Sequence, residues 1–265
     1  MTRMHFDGAI FDMDGVITDT AAVHFSAWKI TFDAYFQQIE AKVGRSFREF
    51  TRDDYMSFVD GRPRYDGVAA FLASRGLALP MGNPEDAPGD SSVCGVGNRK
   101  DAAFNRLIEM DGVEVFDSSV VLIRDLCAKG VRVGIATSSK NCDLVLRKAG
   151  LAWLFQTSVD GITAAELKLK GKPAPDIFTL ACDRLGATAD RTVIVEDAVS
   201  GIQAGVRGGF GLVLGVARDG NEEELRRNGA GLIVSDLSQI SAEQIDRWFA
   251  LRSAAQPATA IARHK

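Results

Sequence analysis

An apolar tripeptide, Ala9-Ile10-Phe11, runs directly into Asp12-Met13-Asp14-Gly15 near the start of the chain. Such a run reads as a buried strand. In an extended backbone residues i and i+2 point to the same face, so Asp12 and Asp14 leave the strand end side by side. Gly15 then permits a sharp turn. Carboxylates that close repel each other unless a cation or a shared proton relieves them. A Mg²⁺ site with a carboxylate nucleophile meets that need. A strand-end acidic pair that merely caps a turn is the competing reading.

Further apolar runs follow at Val131–Thr137, Thr192–Asp197, Gly211–Val216 and Gly231–Val234. Between them Ser119–Lys129, Asp143–Ala149, Asp176–Leu185 and Gly201–Val206 carry helical spacing. Continuous apolar strands alternating with helices define an α/β fold, a parallel sheet covered on both faces. Ligands of such open sheets bind at the carboxyl ends of strands. Asp12, Thr137 and Glu196-Asp197 all stand at such ends.

Each strand end offers chemistry and a plainer alternative. Asp12 can attack phosphorus, with Asp14 as general acid and base. Ala136-Thr137-Ser138-Ser139-Lys140-Asn141 supplies hydroxyls and N–H groups suited to phosphate oxygens, or an ordinary helix cap. Lys172 lies in Gly171-Lys172-Pro173-Ala174-Pro175-Asp176, where two prolines restrict the backbone. Its ammonium can neutralise Asp12 and a transferring phosphoryl, or it is a solvated surface lysine. Glu196 and Asp197 are hard oxygen donors of the kind Mg²⁺ takes, or solvated acids.

Residues 21–112 break the alternation. They are helical in pattern and carry Phe25, Trp28, Phe32, Tyr35, Phe36, Phe47, Phe50, Tyr55 and Phe58, which read as the core of an inserted helical lobe. Leu79–Val96 reads as a long loop within it. The expected organisation is a catalytic core over 1–20 and 113–250, a helical cap over 21–112, and a mobile tail over 251–265.

The net charge of −4 gives no electrostatic footprint for nucleic acid or an anionic membrane. No apolar run reaches membrane-spanning length. The first residues lack the apolar stretch of a signal peptide, and Cys94, Cys127, Cys142 and Cys182 form no CxxC pair. A cytoplasmic protein with reduced thiols, working on a small molecule as a monomer, is the expectation.

Taken together these segments resemble the haloacid dehalogenase superfamily, and within it the β-phosphoglucomutase group. The resemblance rests on Phe11-Asp12-Met13-Asp14-Gly15-Val16-Ile17-Thr18-Asp19-Thr20, His24, Trp28, Ser139-Lys140-Asn141, Lys172-Pro173-Ala174-Pro175-Asp176-Ile177-Phe178 and Glu196-Asp197. It implies a Rossmann-like core with a small helical cap. It implies Mg²⁺ held by Asp12, the Asp14 carbonyl, Glu196 and Asp197. Thr137, Ser138 and Lys172 would hold the transferring phosphoryl. Ser139, Lys140 and Asn141 would hold the second phosphate or the sugar. Gly61-Arg62-Pro63-Arg64-Tyr65-Asp66-Gly67 resembles the cap segment that places Arg64 on the distal phosphate, Arg99-Lys100 fits the cap lysine, and Thr20 and His24 sit at the cap entrance.

The implied activity is isomerisation of β-glucose 1-phosphate to glucose 6-phosphate through an aspartyl phosphate, with a sugar-phosphate phosphatase as the alternative. The chain departs from the group at Phe116-Asp117-Ser118, where Pro-Gly usually follows the aromatic residue, at the length of loop 79–96, and at Gly67.

Overall fold

The computed structural model describes residues 4–59, 62–218 and 220–255. The chain forms two compact units. One comprises the chain up to Asp19 and from Val113 onward, the other Thr20–Gly112.

The first unit is an α/β fold built on an all-parallel sheet of six strands. These are β1 (Gly8–Phe11), β2 (Arg132–Ala136), β3 (Thr157–Val159), β4 (Thr192–Glu196), β5 (Leu212–Val216) and β6 (Leu232–Val234), in the order β3-β2-β1-β4-β5-β6. This is the doubly wound order in which the strand sequence reverses beside β1. The register pairs Phe11 with both Ile135 and Val195. Asp12, Ala136 and Glu196 therefore lie at one level, a residue past those pairs. Every residue of β1 is buried, as expected of a strand covered on both faces. Ile10 joins the cluster of Ala136, Phe178, Ala181 and Ile194, while Ala9 and Phe11 face the opposite side by alternation.

The connections are helical. α5 (Asp117–Ala128) packs on β2, α8 (Asp176–Arg184) on β1, β2 and β3, and α9 (Val199–Arg207) on β4 and β5. α6 (Cys142–Lys148) and α7 (Gly161–Glu166) flank β3 in sequence, and α10 (Glu222–Arg227) covers β5 and β6. α11 (Ala242–Ala255) stacks Phe249 on Phe6 with ring centroids 5.0 Å apart. Residues 251–255, expected in a tail, belong to α11; the rest of that tail lies outside the described residues. β3 was not expected. Its three residues hold one buried apolar side chain, too few for a recognisable run.

The second unit is helical: α1 (Ala21–Val43), α2 (Arg52–Phe58), α3 (Arg64–Ser74) and α4 (Val93–Asp111). The aromatic residues form its core. Phe71 lies 4.3 Å from Phe32 and 4.8 Å from Phe50 between ring centroids. Edge and tilted packing of this kind adds to the area buried. The long loop ends earlier than expected. Ser92 accepts from the Gly95 N–H at 3.0 Å and caps α4, so residues 93–96 are helical. Asn98 donates to the carbonyls of Pro84 and Asp86 at 3.0 and 2.8 Å, which fastens the loop to that helix.

All four cysteines are free. Among the described residues no helix is long and apolar enough to cross a membrane.

Candidate active site

The carboxyl ends of β1 and β4 bring Asp12, Lys172 and Glu196 together. Lys172 lies in the turn before α8, where its peptide bond to Pro173 is cis. Its ammonium donates to Asp12 Oδ1 and to Glu196 Oε1 and rests 4.9 Å from the Phe178 ring centroid. The three side chains are 8%, 9% and 1% exposed respectively, Lys172 first, so this is a buried triad and not a solvated pair. Burial opposes the charge on Lys172, but Asp12 and Glu196 outweigh it and hold the ammonium above its ordinary range.

The carboxylates respond in the opposite sense. Burial pushes Asp12 up to about 7, with Glu196 and Asp14 adding to the rise and Lys172 opposing it. Burial, then Glu196 and Asp12, push Asp197 well above the usual carboxylate range. One lysine does not balance this group of acids.

Glu196 and Asp197 are adjacent in sequence and differ in task. Glu196 accepts from Lys172 at Oε1 and from the Ala198 N–H at Oε2, the latter at 2.8 Å. A Cβ at position 201 would overlap the Glu196 carboxylate, so Gly201 makes room for it. Asp197 turns toward the loop after β1. Gly15 has φ +78°, and a Cβ there would overlap the Asp197 carboxylate. Asn221 Nδ2 holds the Asp197 carbonyl at 3.2 Å. Gly201 and Asn221 carried no signal in the sequence, since each matters only through what folds against it.

Among the described residues no three His, Cys, Asp or Glu side chains converge as a ready metal cage. The donor chemistry nevertheless suits a hard divalent cation. Asp12 and Asp197 are oxygen donors whose ionised forms are disfavoured first by burial and then by nearby acids, and a cation would relieve both.

The end of β2 supplies the phosphate-type segment. Thr137 is buried and its Oγ1 accepts the Ser139 N–H at 3.1 Å. Ser139 Oγ accepts the Asn141 N–H at 3.2 Å, and its carbonyl accepts from Gly161 at 2.9 Å. Ser138 and Lys140 are exposed, and Asn141 stands at the N-cap of α6. Asp14 is half-buried and pairs through its backbone with Thr18.

The helical unit carries the other expected residues. Thr20 is buried, and its carbonyl accepts the His24 N–H at 2.8 Å at the start of α1. Lys100 is buried with Nζ 2.7 Å from His24 Nδ1 and 4.7 Å from the Phe104 ring centroid. His24 stacks on Phe104 at 4.4 Å. Burial, then Lys100 and Arg64, lower the His24 pKa well below its ordinary value. A neutral imidazole nitrogen can accept from an ammonium, and an imidazolium cannot. Arg64 donates to Asp101 Oδ1 at 2.7 Å, and Tyr65 Oη to Asn98 Oδ1 at 3.0 Å. Gly97 lies so close to Tyr65 and Arg64 that a Cβ would fall 2.8 and 3.2 Å from them.

The haloacid dehalogenase-like hydrolase family matches residues 6–209. A β-phosphoglucomutase of Mycobacterium bovis is 42% identical over 235 residues, covering 87% of this chain and 90% of its own length. One of Bacillus subtilis is 30% identical over 241 residues, covering 90% and 94%. The crystal structure of a β-phosphoglucomutase from Clostridium difficile shares the fold, with a TM-score of 0.69 at 23% identity over 94% of this chain and 99% of that one. The chain belongs to the haloacid dehalogenase-like hydrolase family, and it is an enzyme.

Proposed function

We propose that this enzyme interconverts β-glucose 1-phosphate and glucose 6-phosphate through a phosphorylated Asp12. The observation that carries the reading is the buried Asp12–Lys172–Glu196 triad. The 42% identity to the M. bovis β-phosphoglucomutase over most of both chains supports the choice of substrate.

In this reading an Asp12 oxygen attacks phosphorus, the bond from phosphorus to the departing oxygen breaks, and Asp14 gives that oxygen a proton. Lys172, fixed by Glu196, offsets charge at the nucleophile and on the transferring group. Thr137 and Ser138 hold the phosphoryl oxygens. In the return step a sugar hydroxyl attacks phospho-Asp12 and yields its proton to Asp14. Mg²⁺, held by Asp12, the Asp14 carbonyl and Asp197, would supply positive charge for the phosphoryl oxygens. Glu196, expected in that metal set, serves Lys172 in this reading.

A mutase works through a bisphosphate and so needs a second phosphate site. We assign it to Arg64, Lys100 and His24 of the helical unit, with Thr20 at the start of α1, and we assign Ser139, Lys140 and Asn141 of the core separately to the sugar. A guanidinium can take a phosphate through two parallel hydrogen bonds.

The test is product analysis with Mg²⁺, β-glucose 1-phosphate and a trace of glucose 1,6-bisphosphate. Glucose 6-phosphate with little free phosphate is expected. Free phosphate as the sole product would replace this reading with a sugar-phosphate phosphatase.

A further inference from the structure

The loop that carries Asp14 is held by groups distant in sequence. Three consecutive carbonyls are taken: Gly15 by Arg218 Nε at 3.1 Å, Val16 by the Ser119 hydroxyl, and Ile17 by the Phe116 N–H at 3.0 Å. Arg218 is the charged member and follows β5, on the far side of β4 from β1. Its Nη1 donates to Asp236, and its guanidinium carbon lies 3.6 Å from the Phe116 ring centroid. Asp236 also accepts the Ser118 hydroxyl at 2.9 Å and the Ser238 N–H at 2.9 Å. Burial opposes its charge, but Ser238, Arg218 and Ser118 together hold Asp236 below the ordinary carboxylate range. Phe116-Asp117-Ser118, the segment that departs from the resembled group, thus builds both the ring under Arg218 and one anchor of its counter-ion.

We propose that Arg218 is a positioning residue that fixes the Gly15 carbonyl and thereby the aim of Asp14. This rests on Asp14 being the general acid of the proposed reaction. The peptide carbonyl of Gly15 is one residue from Asp14, and a guanidinium anchored to Asp236 on one side and Phe116 on another has little freedom to follow it. A lysine has no fork with which to hold the carbonyl and Asp236 in one plane.

The consequence is a dependence on the leaving group. A poor leaving group needs protonation as it departs, and a good one does not. First-turnover cleavage should be measured with Mg²⁺ and enzyme in excess, using p-nitrophenyl phosphate, phenyl phosphate and benzyl phosphate. Arg218→Ala is expected to slow benzyl phosphate about tenfold to a hundredfold more than p-nitrophenyl phosphate, and Asp14→Asn to do the same more strongly. Arg218→Lys should show the same selectivity to a smaller degree, and it decides the matter if the alanine variant does not fold. Equal slowing of all three esters by both Arg218 variants, or no slowing, would overturn the role of Arg218 while Asp14→Asn stays selective. Loss of selectivity in Asp14→Asn itself would instead overturn the acid/base reading on which this proposal rests.

Discussion

The strand-end site and the helical unit hold their buried titratable groups in opposite balance. At the strand ends acids outnumber the one lysine that bridges them, and Asp12 and Asp197 are pushed up. In the helical unit cations set the field, and His24 is pushed down by burial, Lys100 and Arg64. Each arrangement is costly in isolation, because burial weakens solvation of the charges. A cation would relieve the first, while in the second Arg64 already has the Asp101 carboxylate as its partner.

Removing the nucleophile is the largest blow to this contrast. Asp12→Asn keeps the shape of the side chain but not its attacking charge. Turnover should fall at least about 10³-fold, a barrier rise of about 4 kcal/mol, with the fold intact by circular dichroism. Near-normal turnover would end the nucleophilic role.

Lys172→Met tests whether the triad also holds the core together. Taking the one cation from a buried triad leaves Asp12 and Glu196 without their ammonium, and stability should drop by about 3–5 kcal/mol. Denaturant unfolding at neutral pH measures it. A drop below about 1 kcal/mol would show that Lys172 serves chemistry alone.

Arg64→Ala should lower sugar-phosphate isomerisation about tenfold to a hundredfold while changing hydrolysis of p-nitrophenyl phosphate much less. Equal effects on both would mean that Arg64 does not recognise a remote phosphate.

His24 gives the smallest effect, a change of slope. Its folded pKa is depressed, so the unfolded chain gains a proton near pH 6.5 that the folded protein refuses. Stability should therefore fall as pH drops below about 6.5, and His24→Gln should flatten that fall. A variant with the wild-type slope would show that His24 protonates freely in the fold.

Much of the core was legible because buried parallel strands announce themselves as continuous apolar runs. Asp12, Thr137 and Glu196 could be placed at strand ends from that pattern alone. The division of labour between Glu196 and Asp197 was not legible. They are neighbours in sequence, and only the register beside β1, the approach of α9 at Gly201 and the turn at Gly15 send them to different partners. Arg218 was invisible for a similar reason. Its acceptors at positions 15 and 236 lie far from it along the chain, and no periodicity links them. In the helical unit the aromatic stripe was readable as core, while the pairing of His24 with Lys100 depends on how α1 and α4 lie together.

The central claim is that Asp12 carries the phosphoryl and passes it to a sugar. Enzyme incubated with Mg²⁺ and phosphoryl-labelled glucose 1,6-bisphosphate, then acid-quenched, should hold an acyl phosphate on the peptide containing Asp12. Chasing the unquenched labelled enzyme with β-glucose 1-phosphate should move the label into sugar phosphate faster than into free phosphate. Label absent from that peptide, or released only as free phosphate during the chase, would contradict the account.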